Sequence, residues 1–108
     1  MFNIKDLKPL LDNQPLLSLY LNVNPALREN QATTAAWRIW LKDALREIDR
    51  QHDKDETWQA LRARVDEFFT TYRPESKGLA LFFGEVMEQT VELPVDIENR
   101  ASYGKPSL

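Results

Sequence analysis

Two amphipathic helices written back to back constrain this chain more than any other feature in it. In Thr34–Gln51, Trp37, Trp40, Leu41, Ala44, Leu45 and Ile48 fall within an arc of about 140° at roughly 100° per residue. In Glu56–Tyr72, Trp58, Leu61, Val65, Phe68, Phe69 and Tyr72 fall within about 100°, a narrower stripe. Between them His52-Asp53-Lys54-Asp55 is short and polar, and Asp53 with Glu56 has the spacing of a capping box. The pattern predicts an αα-hairpin whose two apolar stripes need a common surface to bury against.

That surface is expected to be a sheet. Leu16 to Leu21 is an apolar run of strand length, with Leu17, Leu19 and Leu21 on one face and Leu16, Ser18 and Tyr20 on the other. Both faces are largely apolar, so it reads as a central strand covered on both sides. Asn22-Val23-Asn24-Pro25 ends it with turn residues, and a polar stretch leads to Thr33 or Thr34 as the candidate cap of the first long helix. After the second helix, Arg73 to Gly78 breaks the helical pattern, and Leu79-Ala80-Leu81-Phe82-Phe83 forms another short apolar strand. Thr90-Val91-Glu92-Leu93 alternates as a half-exposed strand does, and Pro94 closes it. Upstream, Ile4, Leu7, Leu10 and Leu11 have helical spacing behind Asn3 as a cap, with Asn13-Gln14-Pro15 as the stop.

The expected class is α+β, α/β-like in its crossover. It comprises a small mixed sheet of three to four strands, with the αα-hairpin and a short N-terminal helix packed on it. A strand, a helical crossover and a second strand favour a parallel pair. The last two strands should form an antiparallel hairpin. One module is expected over residues 1–97, with 98–108 as an extended tail or linker at a domain boundary.

Composition narrows the function. The 108 residues suit a single domain, and 43% hydrophobic with 29% charged residues is a globular balance. The net charge is −3, which excludes binding of nucleic acid by bulk positive charge alone. The excess is local: residues 84–108 carry Glu85, Glu88, Glu92, Asp96 and Glu98 against Arg100 and Lys105, while the remainder balances. The absence of cysteine removes disulfides, thiol nucleophiles and thiolate metal sites. A single histidine, His52, undersupplies a metal cluster or a Ser-His-Asp triad and reads as a solvated helix-end residue. Asp53, Asp55 and Glu56 read as caps and first-turn charges rather than metal ligands. The three glycines, Gly78, Gly84 and Gly104, make no phosphate-cradling loop. The expectation is therefore a non-catalytic, cytoplasmic module with no cofactor, no metal and no membrane segment.

One surface feature stands out. Arg38, Lys42, Arg46 and Arg50 recur every fourth residue and form a basic row on the outward side of the first long helix, with Ile39 among them. Arg28 in the preceding loop extends the row. Such a row can track an RNA backbone. The competing reading is a helix face laced by pairs such as Asp43–Arg46 and Glu47–Arg50. The tryptophans and phenylalanines sit in core stripes and not as stacking platforms.

The segments LLSLYLNVNP (Leu16–Pro25), RIWLKDALREI (Arg38–Ile48), SKGLALFFGE (Ser76–Glu85) and VELPVDI (Val91–Ile97), in that order, resemble a known pattern. They are similar to the N-terminal domain of archaeo-eukaryotic-type class 1 peptide chain release factors, especially their divergent bacterial relatives. The likeness covers about residues 1–95. It rests chiefly on the glycine-led strand after a long helix and on the short serine-bearing strand that ends in Asn-Pro.

The resemblance implies a part of a larger protein that works at the ribosomal decoding site, with further domains downstream. It implies ribosomal RNA as partner, in termination, rescue or hibernation. The family's hydrolytic Gly-Gly-Gln loop belongs to a following domain, and this chain has no Gly-Gly pair. Its codon-reading motifs do not carry over. Asn3-Ile4-Lys5-Asp6 lies at the wrong end for the Asn-Ile-Lys-Ser loop, Asn13-Gln14-Pro15 stands in place of Gly-Thr-Ser, and a Tyr-x-Cys motif needs a cysteine. A rival expectation is a protein-interaction or homodimerisation module without RNA contact, using a sheet edge or the Ile39 face.

Overall fold

The computed structural model describes residues 15–85 and 87–104. Four strands, β1 (Leu16–Asn22), β2 (Gly78–Gly84), β3 (Glu88–Leu93) and β4 (Arg100–Gly104), form one sheet in the order β3-β2-β1-β4. A 3-10 turn at Arg28–Asn30 leads into α1 (Ala36–Gln51), followed by α2 (Glu56–Thr71). The α+β class and the αα-hairpin crossover stand as read from sequence. The expected helix over Ile4–Leu11 lies outside the described residues.

The strand directions differ from expectation. β1 pairs antiparallel with both β2 and β4, and β2 pairs antiparallel with β3, so the sheet has no parallel pair among the described residues. The reason lies in the crossover. One helix would return the chain to the start of β1, whereas a helical hairpin runs down and back. The chain therefore re-enters the sheet at the end it left: Asn22 faces Gly78, and the Val23 amide donates to the Lys77 carbonyl at 3.0 Å.

The second correction is β4. Residues 98–108 were expected to be a tail, yet Arg100–Gly104 adds a strand against β1. Ala101 and Tyr103 turn toward the helices and pack on the core. The Tyr103 ring lies 4.8 Å from Trp58 and 4.9 Å from His52, centroid to centroid, and its hydroxyl donates to Asp55 Oδ2 at 3.2 Å.

Caps also move from their expected positions. Asp55, not Asp53, caps α2, its carboxylate accepting the Trp58 amide at 3.1 Å. The α1 cap position is Ala35, whose methyl group cannot accept a hydrogen bond; Asn30 Oδ1 accepts the Trp37 amide at 3.3 Å instead. Asn30 in turn donates to the Asn22 and Asn24 carbonyls, fixing the angle at which the chain turns from β1 into α1. Asn24, buried, donates to Asp96 Oδ1 at 2.8 Å, and Asn99 Oδ1 accepts the Asn22 amide at 2.7 Å. These bonds tie the β3–β4 connection to the end of β1.

The core lies between the helices and one sheet face. Leu17, Leu19, Leu21, Leu79, Leu81 and Phe83 from the sheet meet Trp37, Leu41, Leu45, Trp58, Leu61, Val65 and Phe69 from the helices. Near its edge Tyr72 stacks at 5.4 Å on Phe68 and meets Trp37 edge-on, but its buried hydroxyl finds no hydrogen-bond partner among the described residues. An unsatisfied buried hydroxyl costs on the order of 1–3 kcal/mol.

Burial first, then the charges of Glu92 and Glu75, push the Tyr72 hydroxyl up to about 12. Burial and Asp55 do the same for Tyr103, also to about 12. Both folded values exceed the ordinary value of 10.0, so above that pH the unfolded chain loses these protons first. Stability should be level in this respect below pH 10 and fall as pH rises toward 12. Tyr72→Phe should raise stability by about 1 kcal/mol at neutral pH, and Tyr103→Phe should lower it by a similar amount. Each should flatten the alkaline decline, as urea unfolding at pH values on both sides of 10 will show.

Candidate nucleic-acid interface

The outward face of α1 does not carry its basic residues on equal terms. Arg38 is half-buried and bends toward the end of α2, where its guanidinium donates to the Phe69 carbonyl at 3.2 Å and the Tyr72 carbonyl at 3.1 Å. The same group lies 4.4 Å over the Trp37 ring. The last carbonyls of a helix lack intrahelical partners and carry partial negative charge, so a cation there is structural. Arg38 joins α1 to α2 and has little left to offer a ligand.

Arg50, exposed at the far end of α1, pairs with Glu47. This is one of the two pairs expected from the spacing; the other, Asp43 with Arg46, is not formed. Lys42 and Arg46 are exposed, one helical turn apart, and neither joins an ion pair or side-chain hydrogen bond among the described residues. Ile39 is 52% exposed beside them. Arg28, in the 3-10 turn packed against α1, is also exposed. The predicted row of five is thus reduced to Arg28, Lys42 and Arg46, with Arg38 and Arg50 engaged elsewhere.

One basic residue near the row went unread in the sequence. Arg62 of α2 lines a cleft of about 260 Å³ between the helices, together with Arg38, Lys42 and Asp66. Arg62 pairs with Asp66 one turn on and reaches Asp49 at 3.4 Å. The i,i+4 spacing of Arg62 and Asp66 was visible, but the approach of α2 to Lys42 was not.

The aromatic residues divide as the stripes suggested. Trp37, Trp58 and Phe69 are buried, whereas Trp40 and Phe68 are half-buried and pack against the core. Trp40 lines a cleft of about 370 Å³ between α1 and β4, along with His52 and Tyr103. His52 is held edge-on to Tyr103, with Nδ1 3.6 Å from Asp55. It is a packed joint residue, less solvated than its helix-end position implied. Among the described residues, no group of three or more His, Asp or Glu side chains is placed to hold a metal ion. No described helix is long and apolar enough to cross a membrane.

No protein-family model matches the chain, and a search of curated proteins finds no match.

The two groups of cations should separate by stability. Arg38→Ala should cost about 1–2 kcal/mol, since it strands helix-end carbonyls and uncovers Trp37. Lys42→Ala and Arg46→Ala should each stay within about 0.5 kcal/mol of the parent in urea unfolding.

Proposed function

We propose that the chain is a non-catalytic, ribosome-contacting module of a bacterial release-factor-like protein, acting in the cytoplasm in termination, rescue or hibernation. The observation that supports this reading is the pair of exposed cations Lys42 and Arg46 on the outward face of α1, neither of them paired among the described residues. Exposed Arg28 in the adjoining turn supplies a third charge. Cations that no carboxylate neutralises can replace the counterions along an RNA backbone. Stop-codon reading is not part of the proposal, because the motifs that perform it in the family have no counterpart here. The mildly acidic chain suits a narrow contact through one helix face rather than a broad electrostatic one. Ribosomal RNA and the downstream domains of the parent protein are its proposed partners.

A second reading is a protein contact or homodimer centred on Ile39, whose side chain stands in solvent beside the cations. The two separate in one set of measurements. In co-sedimentation with ribosomes, the chain should be retained at low salt and released steeply as salt rises. Three phosphate contacts predict a loss of roughly twenty- to fortyfold between about 50 and 200 mM salt. Lys42→Glu with Arg46→Glu should abolish retention while leaving the fold intact. A chain that fails to co-sediment at every salt concentration sinks the ribosomal reading. A concentration-dependent dimer in light scattering, lost with Ile39→Glu, supports the second.

A further inference from the structure

Among the described residues the sheet ends in two open edges, β3 on one side and β4 on the other. The alternation of hydrogen bonds in an antiparallel ladder fixes which backbone groups each edge turns outward. The Val23 amide donates to the Lys77 carbonyl, so odd-numbered residues of β1 bond to β2 and even-numbered ones face β4. The Asn22 amide agrees, donating to Asn99 on the β4 side. Ser102 therefore bonds inward to Ser18, while Ala101 and Tyr103 turn their N–H and C=O groups to the open edge. On the other side the Gly84 amide donates to the Met87 carbonyl, which by the same alternation leaves Glu88, Thr90 and Glu92 outward on β3.

The two edges differ in their surroundings. Glu88 and Glu92 stand exposed at the outward positions of β3, and charges so placed keep other strands off an edge. The outward positions of β4 carry no charge, and a groove runs beside them. The cleft of about 370 Å³ has Ala101 and Tyr103 on its strand side and Trp40, Ala44, Glu47 and Gln51 on its helix side. A second cleft of about 470 Å³ shares Trp40 and continues past the start of β4, where Glu29 and Glu98 line it. Together they make a trough between a strand edge and a helix, with a half-buried indole in the middle and carboxylates toward both ends. Glu47 pairs with Arg50, and Glu98 approaches Arg100 at 3.5 Å, but all four side chains are largely exposed. Ion pairs of that kind are weak and exchange partners readily.

We propose that this trough is a strand-addition site for an extended peptide with the pattern basic-x-apolar-x-basic. The peptide would lie antiparallel to β4, as every strand pair in the sheet does. Residues opposite Ala101 and Tyr103 bond to the outward backbone groups, and their side chains fall on the helix side, where Ala101 and Tyr103 themselves pack. The apolar side chain, opposite Ala101, meets Trp40 and Ala44. One basic side chain, opposite Tyr103, faces Glu47; the other lies at the Glu29 and Glu98 end. Main-chain bonds supply affinity in such sites, and the alternate side chains supply selectivity. A second copy of this chain has nothing to place there. Its β4 would bring Ala101 and Tyr103, already packed on its own core, and its β3 would set Glu88 and Glu92 against the carboxylates.

The probe is a fluorescein-labelled peptide, Gly-Lys-Thr-Leu-Thr-Lys-Gly, titrated with the whole chain and followed by anisotropy. Saturable binding should appear, and N-methylation of the leucine amide, which removes a donor aimed at β4, should weaken it by roughly tenfold. Exchanging both lysines for glutamates should weaken it at least as much. In the protein, Ala101→Pro removes an outward amide that β1 does not use and should lower affinity by roughly tenfold. Ala44→Arg, which fills the cleft from the surface of α1, should do the same without touching the sheet. Thr90→Pro makes the equivalent change on the β3 edge and should leave binding intact. Absence of saturable binding up to about 1 mM overturns the proposal. Equal affinity for the N-methylated peptide also overturns it, since charge alone would then account for the binding. A concentration-dependent dimer that Ala101→Pro abolishes would overturn it too, by giving the edge to a second copy.

Discussion

The joint at Trp58 is the interaction on which the rest of the architecture depends. The residue is 1% exposed, and both of its N–H groups are claimed by carboxylates: Asp55 takes the backbone amide, Asp49 the indole Nε1 at 2.7 Å. Asp49 lies in the last turn of α1 and Asp55 caps the start of α2, so a single side chain fixes the helices on both sides of the turn. The same Asp55 accepts the Tyr103 hydroxyl, which extends the joint to the edge of the sheet. The buried indole supplies the apolar area of the joint, while the two carboxylates stay partly exposed at its rim and make charge-assisted hydrogen bonds to it. Hairpin angle, helix register and the position of β4 are settled at one place.

The far end of the hairpin is closed differently. Arg38 carries α1 to the last carbonyls of α2, while Arg64, midway along α2, fastens that helix to the sheet, donating to the Gly84 carbonyl at 2.7 Å and approaching Glu88 at 3.7 Å. Arginine serves here because its planar group reaches several oxygens at once and lies flat on a ring. The chain thus spends part of its positive charge as internal fastening. What remains on the outward face of α1 is a short, isolated pair beside an exposed isoleucine, and the functional proposal rests on that remainder.

The sequence made some of this legible and hid the rest for definable reasons. Helical stripes at Trp37–Ile48 and Trp58–Tyr72 were plain because period and burial coincide there. The Leu16–Leu21 and Leu79–Phe83 runs were equally plain, being apolar on both faces. Strand direction was misread because a crossover of two helices was treated as though it were one. β4 was missed because Arg-Ala-Ser-Tyr-Gly offers only Ala101 and Tyr103 to the core, and its stability comes from partners far along the chain. The basic row was correct as a pattern, but spacing along one helix could not reveal that Arg38 faces carbonyls of another. Asn24 and Asp96 escaped as a pair for the same reason.

The central position of β1 has a consequence for how the protein is made. Its neighbours in the sheet are β2 and β4, and both follow it only after the two helices have been synthesised. At about 5–20 residues per second, several seconds separate β1 from its last partner. Until β2 emerges, Leu17, Leu19 and Leu21 have neither of their strand neighbours beside them. Among the described elements, the helical hairpin, closed by contacts near in sequence, is the one that emerges between β1 and β2 and can shield them. The order of synthesis therefore places the α1–α2 pair beside β1 before either strand neighbour exists, and Arg100–Gly104 is the last described strand to emerge.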